Sequence, residues 1–404
     1  MAKLIDITGK ALSGEWGTDD ETGNGIPVLR TTNFTNEGVV NYNDVVTRTI
    51  TKKNIDDKFL RKGDIIIEKS GGSDKFPVGR VIYFDGEEKT YLFNNFTGLL
   101  RVKNQDVWYP RYVFYSLYAN YKRGGTRAFE NKTTGLHNLK TDDYVSRYEV
   151  AEIDKTEQIL ICEKLDKLYG IVKSRERELQ LLNELIKARF VELFGDENNS
   201  LNWDIVNVEE VADVQVGVVI KPSQYYTEKE NGVPAFRSLN IGEGVIKDTD
   251  WVYFTNEGHE KNSKSILKEN DLLIVRSGAP GTACVATKEY EGYNAIDIII
   301  AHPDCSKVNP YYLCTYTNMP HGKKQIQEGT GGAAQQHFNV GKYNQLKLML
   351  PPMERQNEFV DFVIQTNKSK VTPQKATKNR KNTLKRQLRH YNSTTHHTQG
   401  GFPA

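Results

Sequence analysis

The sequence predicts an α+β protein with two repeated, mainly-β domains, a long coiled-coil helix between them and a second helix after the second domain. Three observations lead to this architecture: a central apolar seam has the spacing of a long helix, several motifs occur twice in the same order, and each copy contains short apolar runs typical of buried strands. We place the domains at 1–150 and 197–350, the central helix at 151–196, the second helix start at 351–370 and a basic tail at 371–404.

The central helix is predicted from a seam whose positions are spaced alternately by four and three residues. Its apolar members are Ile161, Leu165, Leu168, Val172, Leu179, Leu182, Ile186 and Leu193. This 3.5-residue repeat is that of a coiled coil, which needs a partner helix from this chain or another. Asp154 with Glu157 resembles a capping box, and Gly195 stands where a left-handed stop is expected. The alternative is a plain core helix, but globular helices average only about 11–12 residues.

Internal repetition is visible at five places in the same order. Residues 25–33 return at 232–240, and residues 62–71 return at 269–278, both 207 positions later. The remaining pairs are 109–112 with 309–312, 136–139 with 337–340, and 156–158 with 354–356. The chain is therefore expected to hold two units of one construction, each followed by a helix start.

Within each copy, short apolar runs predict buried strands, at 65–67 and 79–84 in the first and at 272–275 and 295–301 in the second. Proline at the first turn predicts helices that begin at Pro110 and Pro310. Glycine pairs predict loops near residues 124–125 and 329–332.

The second helix is predicted to start at Pro351-Pro352 and to pair with the central helix only over its opening turns. Phe359 and Val363 fall on its seam, but the next seam positions are Thr366, Lys370 and Pro373. Proline inside a helix costs about 3 kcal/mol. Beyond it the chain is basic and polar, so residues 371–404 are expected to be disordered or extended.

Charge is unevenly spread along the 404 residues. Residues 362–404 contain nine Lys or Arg and no Asp or Glu, so the rest of the chain carries 45 basic against 52 acidic side chains. The body is not a generally basic nucleic-acid binder, and any DNA contact must come from local patches. No apolar run reaches the ~20 residues of a membrane span, and the four cysteines form no Cys-x-x-Cys pair. We expect a cytoplasmic protein without membrane contact.

The sequence offers no catalytic set and no metal site. Asn309-Pro310-Tyr311-Tyr312 is similar to the Asn-Pro-Pro-Tyr motif of methyltransferases, but no glycine-rich cofactor loop precedes it. Its repeat mate at 109–112 lacks the Asn, so we interpret it as a helix start. The stretch at 329–332 lacks the lysine of a nucleotide-binding loop. The histidines are scattered and show no metal-ligand spacing.

Two β-rich repeats, a long seam helix and a Pro-Pro-x-x-x-Gln start at Pro351 resemble the specificity subunit of type I restriction–modification systems. The resemblance covers about residues 1–370 and is most specific at Asp64 and Asp271, each followed by an apolar run and Ser-Gly, and at residues 329–339 and 350–356. It implies two target recognition domains that read the halves of a bipartite duplex DNA site, and two antiparallel helices that space them.

The same resemblance implies partners. The helices would dock methyltransferase subunits, two of them by expectation, and restriction/translocase subunits would complete the complex. The chain itself would be non-catalytic and without cofactor, and S-adenosylmethionine, ATP and Mg²⁺ would belong to the partners. The alternative is a non-DNA coiled-coil adaptor with two protein-binding domains, which the acidic body supports.

Candidate DNA contacts are basic and amide side chains that occur in duplicate or in divergent loops. They are Arg30, Asn33, Lys69, Ser70, Lys75, Lys122, Arg123, Arg127 and His137 in the first copy, and Arg237, Asn240, Arg276, Ser277, Lys323, Lys324, Gln335 and Gln336 in the second. Residues shared by both copies are also candidates for scaffold, above all Asn33 with Asn240 and Asp64 with Asp271. The divergent loops near residues 73–75 and 122–127 are better candidates for specificity.

Overall fold

A computed structural model of the chain describes residues 1–133, 136–329 and 338–393. The chain divides into two compact units, Met1–Glu176 with Lys375–Ala404, and Arg177–Gln374. Each unit contains a β-rich globular part and a segment of each of two long helices. The helices are α1 (Leu4–Thr8), α2 (Pro110–Lys122), α3 (Thr141–Arg147), α4 (Lys155–Phe194), α5 (Asn256–Lys261), α6 (Pro310–Asn318), α7 (Pro320–Gly329), α8 (Val340–Asn344) and α9 (Met353–Ser393).

The first unit is built from short strands. They are β1 (Ala2–Lys3), β2 (Leu12–Ser13), β3 (Thr18–Asp19), β4 (Ile26–Leu29), β5 (Val46–Thr49), β6 (Ile65–Glu68), β7 (Ser70–Gly72), β8 (Val81–Tyr83), β9 (Leu92–Phe93), β10 (Thr97–Leu100), β11 (Glu130–Thr133), β12 (Leu136–Leu139) and β13 (Glu149–Val150). Two four-stranded sheets have the orders β2-β10-β6-β8 and β3-β5-β4-β9. All pairs in them are antiparallel except β4 with β9.

The second unit repeats this construction. Its strands are β14 (Ile205–Asn207), β15 (Ala212–Val216), β16 (Tyr226–Thr227), β17 (Val233–Phe236), β18 (Ile241–Gly242), β19 (Val245–Ile246), β20 (Val252–Phe254), β21 (Leu272–Val275), β22 (Ala283–Val285), β23 (Asn294–Ala295), β24 (Ile298–Pro303) and β25 (Lys347–Met349). Its two larger sheets have the orders β15-β24-β21-β22 and β16-β20-β17-β23, and the last pair is again parallel. Strand by strand these match the two sheets of the first unit, which confirms the predicted repeat.

The apolar runs predicted as strands form the cores. Ile65, Ile66 and Ile67 are fully buried in the first unit, as are Leu272, Leu273 and Ile274 in the second. Alternate residues of each run face opposite sides of the sheet and enter different apolar clusters. Helices α2 and α6 cover one side of their sheets, and both begin at the predicted proline.

The central helix α4 is continuous from Lys155 to Phe194, as the seam predicts. The amide of Thr156 donates to the Asp154 carboxylate at 2.8 Å, and Gly195 takes a φ of +84° where the helix ends. The apolar seam positions are buried or half-buried, whereas Arg175 is exposed. In the second unit, Arg189 of this seam donates to Glu358 of α9 at 2.8 Å.

The prediction for the second helix was wrong, because α9 runs from Met353 to Ser393 and includes residues 371–393 of the expected disordered tail. The alternating steps of four and three continue in α9 through Phe359, Val363, Thr366, Lys370, Pro373, Thr377, Arg380 and Leu384. All but the half-buried Arg380 are buried. The spacing of buried positions therefore continues along α9 even where the side chains at these positions are polar or charged. Residues 394–404 lie outside the described residues.

Two of the buried polar side chains at these positions of α9, Thr366 and Lys370, satisfy their donors locally. The Thr366 hydroxyl donates to the Phe362 carbonyl, and the Lys370 ammonium donates to the Asn367 amide oxygen, both at 2.8 Å. The aliphatic stem of a lysine adds apolar surface to such a seam. The pairing of the helices also extends beyond the opening turns: in the first unit Lys381 forms an ion pair with Glu176, and Leu384 joins the apolar cluster that contains Leu165 of α4.

Candidate nucleic-acid interface

In the first unit, a three-stranded sheet in the order β11-β12-β7 gathers residues that are far apart in the sequence. Ser70 pairs with Asn138, and the amide of Leu139 donates to the Lys69 carbonyl at 2.8 Å. The Lys69 ammonium donates to the Ser13 hydroxyl at 3.0 Å, and burial lowers the pKa of Lys69. The predicted segments around Lys69 and His137 are thus one surface.

Beside this sheet lie the divergent loop at 73–77 and the 3-10 helix Gly125–Phe129. The guanidinium of Arg127 donates to the Asp74 carbonyl at 2.9 Å and joins the two. Lys75, Lys122, Arg123 and Arg127 are exposed, and we call these four residues the basic loop surface. The exposed ring of Phe76 lies 5.4 Å from the Lys75 ammonium. A local patch of cations therefore exists on an acidic body.

The second unit has the matching backbone contact. The amide of Phe338 donates to the Arg276 carbonyl at 3.0 Å, as Leu139 does to Lys69. The Arg276 side chain is mostly buried and forms an ion pair with Asp297, and Ser277 beside it is half-buried. Lys323 forms an ion pair with Glu243, while Lys324 is exposed. Gln335 and Gln336 lie outside the described residues.

Two predicted base contacts are corrected by burial. Asn33 is 1% exposed and Asn240 is fully buried. The Asn33 amide oxygen accepts from the Arg30 backbone at 2.8 Å, and its nitrogen donates to the carbonyls of Asn41 and Asp44. Asn240 accepts from the Arg237 backbone at 2.9 Å and donates to the Thr249 carbonyl at 2.6 Å. Both side chains hold a loop and leave no polar edge for a base.

Three more predicted contacts are engaged within the protein. His137 is 4% exposed, 3.0 Å from the Glu130 carboxylate and 3.6 Å from that of Asp74. This burial corrects the prediction that His137 reads DNA. Arg30 forms an ion pair with Asp44 at 3.0 Å, and Arg237 donates to the Asp250 carbonyl. Both arginines are only half-buried, so they remain candidates that would first have to give up a partner.

Asp64 and Asp271, which are equivalent in the two repeats, have a structural role. This is one of the two roles that the sequence left open for them. Asp64 is 2% exposed, and its carboxylate accepts two hydrogen bonds from the Arg101 guanidinium at 2.8 and 2.7 Å. Asp271 is 2% exposed and contacts His302. Each aspartate also accepts an amide hydrogen bond from the turn before its strand, from Arg61 and from Lys268. These bonds fix the start of β6 and of β21.

A buried ion pair distinguishes the first unit from the second. Glu68 is 4% exposed and lies 3.1 Å from Arg80, whose guanidinium also donates to the carbonyls of Thr31 and Phe34. Burial raises the pKa of Glu68, although Arg80 opposes the shift. In the second unit the corresponding backbone pair is Val275 with Thr282. The ion pair therefore belongs to what differs between the repeats.

Asn309 is part of a helix start, the second of the two interpretations of its motif. Its side-chain oxygen accepts from the Tyr311 amide at 3.0 Å, and Pro310 is the first residue of α6. Within the described ranges, no group of three or more His, Cys, Asp or Glu could hold a metal ion. None of the helices among these residues is long and apolar enough to cross a membrane.

Sequence reasoning missed several exposed apolar residues. Phe76 and Phe96 in the first unit, and Val219, Ile220 and Leu239 in the second, are between 48% and 80% exposed. For Val219 the sequence held one signal. Gly14 and Gly217 are equivalent in the two repeats at an offset of 203, and an apolar residue, Trp16 or Val219, follows each glycine by two positions. A match of a single glycine is too short to be found from the sequence alone.

Residues 200–385 match the family model described as the type I restriction modification DNA specificity domain. The chain is similar to the crystal structure of the type I restriction–modification system S subunit from M. genitalium, with a TM-score of 0.56, 16% identity and coverage of 96% of this chain and 94% of that one. A chain from a structural study of complex assembly in a type I R-M system gives a TM-score of 0.53 at 14% identity, with 96% of each chain covered.

A curated relative agrees. The chain is 24% identical over 178 residues to the type I restriction enzyme MjaVIII specificity subunit of Methanocaldococcus jannaschii, and the match covers 40% of this chain and 40% of that protein. The fold is thus that of type I restriction–modification specificity subunits. These comparisons agree with the resemblance found in the repeated motifs, and residues 200–385 match the model of the DNA specificity domain.

Proposed function

We propose that this chain is the sequence-specific DNA-binding subunit of a type I restriction–modification complex, in which each unit reads one half of a bipartite duplex target. One observation carries the proposal: two units repeat the same two four-stranded sheets, strand by strand, but differ in the loops that those sheets support. A repeated frame with different loops is what two half-sites of different sequence require.

The division of labour between frame and loops supports the proposal. Shared residues such as Asn33 with Asn240 and Asp64 with Asp271 are buried and hold the frame. The basic loop surface is exposed and belongs to segments that the repeats do not share. Base edges and phosphates are contacted by such exposed Arg and Lys side chains. A patch of this kind can supply the cations that contact DNA even though the rest of the chain is acidic. The net acidity of the body is therefore only weak support for the non-DNA adaptor.

The chain would act without catalysis or cofactor of its own, and partner subunits would bring S-adenosylmethionine, ATP and Mg²⁺. The helices offer a surface for methyltransferase subunits. Within the second unit, Leu181 and Leu185 of α4 are each 48% exposed, and Ile364 and Val371 of α9 are 40% and 44% exposed. Exposed apolar side chains on paired helices favour protein docking. Two methyltransferase subunits and the restriction/translocase subunits complete the proposed assembly.

The test combines target discovery with binding. Methylome sequencing of cells that express the chain with its methyltransferase partner identifies the bipartite target. Equilibrium binding of the purified complex is then compared on the target and on duplexes with one or the other half-site scrambled, over a salt series. We expect scrambling of either half-site to weaken binding. We also expect the logarithm of the binding constant to fall linearly with the logarithm of the salt concentration. Absent, salt-insensitive or sequence-independent binding would favour the adaptor.

A further inference from the structure

The turn after Gly217 presents two uncovered aliphatic side chains in the second unit. Val219 is 48% exposed and Ile220 is 80% exposed, the highest value for a large hydrophobic residue in the part of the chain that the structure describes. Removing such apolar side chains from water is favourable. Two adjacent apolar side chains that stay exposed indicate a surface that binds a partner.

The turn is firmly held by its backbone. A Cβ on Gly217 would lie 2.3 Å from the Ala295 carbonyl oxygen, so only glycine fits there. The amide of Val218 donates to that same carbonyl at 2.8 Å, and its carbonyl accepts from Asp297 at 3.1 Å. Lys221 has a φ of +43°, and its carbonyl accepts from Gln224 at 3.1 Å. Ile220 is therefore presented in one place by a fixed turn.

The first unit has the same construction at the equivalent position. A Cβ on Gly14 would lie 2.1 Å from the Phe93 carbonyl oxygen, and the amide of Glu15 donates to that carbonyl at 2.8 Å. Trp16 follows, with the Arg48 guanidinium 4.2 Å from its ring centroid. Each repeat thus places apolar side chains beside a cation directly after the confined glycine.

The surroundings of Ile220 suit a polyanion that also carries apolar surface. Lys221 is exposed and adds a positive charge next to Ile220. Asp297, whose amide donates to the Val218 carbonyl, has its carboxylate in an ion pair with Arg276. DNA offers both phosphates for a lysine and apolar base surface for an isoleucine, either as a thymine methyl in the major groove or as an opened base step.

We propose that Ile220 is a specificity-determining residue that packs on the apolar surface of a base in the half-site read by the second unit, with Lys221 on an adjacent phosphate. This inference rests on the proposed function. The other candidate DNA contacts are basic or amide side chains, whereas Ile220 would contact a base through an apolar side chain.

The experiment uses the full chain with its methyltransferase partner and three variants: Ile220→Ser, Lys221→Gln and Ile205→Ser. Ile205 is the matched control, because it is 54% exposed in the same unit but belongs to β14, which pairs with β25. Binding is measured on the target and on a duplex with that half-site scrambled. We expect Ile220→Ser to weaken target binding roughly tenfold and leave binding to the scrambled duplex unchanged.

Lys221→Gln should weaken binding to both duplexes and lower the salt slope by about one, and Ile205→Ser should match the wild type. Deoxyuridine in place of thymidine would weaken wild-type but not Ile220→Ser binding if a methyl group is contacted. An opened step would instead raise 2-aminopurine fluorescence with the wild type only. Target binding by Ile220→Ser at wild-type strength, or an equal loss on both duplexes, overturns the inference. A wild type that does not prefer its target overturns the proposed function instead.

Discussion

The side-chain oxygen of Gln158 accepts a hydrogen bond at 2.8 Å from the backbone amide of Tyr109, the residue directly before α2. Its nitrogen donates to the carbonyls of Val107 and Ile153, both at 3.0 Å. The second unit repeats the bond, since Gln356 accepts from the amide of Asn309 at 2.8 Å. Both glutamines are fully buried in the first turns of α4 and α9. A glutamine thus ties each long helix to the globular part of its unit.

Replacing Gln356 by Leu should destabilise the second unit by about 1–3 kcal/mol, because the Asn309 amide and the Pro351 carbonyl would lose their partner in a buried place. Chemical denaturation measures the change. Gln180→Leu is the control, since Gln180 is exposed on α4 and donates to Glu184 one turn further along the same helix. Equal stabilities of the two variants would contradict the structural role of Gln356.

The doubled motifs were sufficient to predict two units of one construction, and the strand orders bear this out. The orders themselves could not be predicted, because strands of two to six residues pair with partners far along the chain and local periodicity says nothing of the partner. For α9, hydrophobicity was the wrong guide, since Thr366, Lys370 and Thr377 keep the seam spacing with polar side chains.

The sequence could indicate which segments carry candidate DNA contacts, but not which of their side chains are exposed. An asparagine shared by two repeats looks the same in sequence whether it reads a base or holds a turn, so Asn33 and Asn240 were not separable from true contacts. His137 was predicted as a DNA contact but is buried against Glu130, and burial is a tertiary property. The divergent cations at Lys75 and Arg127 do lie together at the surface.

Asn33→Ala should therefore lower stability without relaxing specificity. Its side chain makes three hydrogen bonds to backbone groups, and their loss should cost about 1–3 kcal/mol. Thermal unfolding of the chain gives the stability, and methylome sequencing gives the recognised sequence. A variant of normal stability that methylates a changed first half-site would place Asn33 at the DNA after all.

Lys75→Gln should weaken DNA binding in a salt-dependent way, because Lys75 belongs to the basic loop surface and its exposed ammonium can contact a phosphate. The salt slope should fall by about one. Lys62→Gln is the matched control, since Lys62 is equally exposed but precedes β6, whereas Lys75 follows β7. Equal salt slopes for the two variants would remove Lys75 from the interface.

Thr377→Val should stabilise the chain, because the Thr377 hydroxyl is buried in the α9 seam and has no hydrogen-bond partner among the described residues. Burying an unpaired hydroxyl costs about 1–3 kcal/mol, which the valine methyl avoids. Thr383→Val on the exposed side of the same helix, where the hydroxyl donates to the Asn379 carbonyl, should change little. Denaturant midpoints of both variants test this. A loss of stability in Thr377→Val would mean that the hydroxyl has a role at this position.

His321 should make the second unit sensitive to acid. It is 4% exposed and lies between the rings of Phe190 and Tyr316. Its Nε2 lies 3.2 Å from the Gly195 carbonyl, and its buried Nδ1 has no hydrogen-bond partner within the described ranges. Burial lowers the pKa of His321 from its ordinary value of 6.5, although the Gly195 carbonyl and the carboxylates of Asp196 and Glu197 oppose the shift.

Because this pKa is lower in the folded than in the unfolded chain, the unfolded state binds more protons in the window between the two values. The contribution of His321 to stability is therefore complete above pH 6.5 and is lost as the pH falls towards its folded pKa. His321→Gln should lose this part of the pH dependence, so the stability difference between wild type and variant should shrink on acidification. Denaturation curves of both proteins at about pH 7.5, 6.5 and 5.5, which span the ordinary pKa of histidine, measure this stability difference. A difference that stays constant with pH would show that His321 titrates alike in both states.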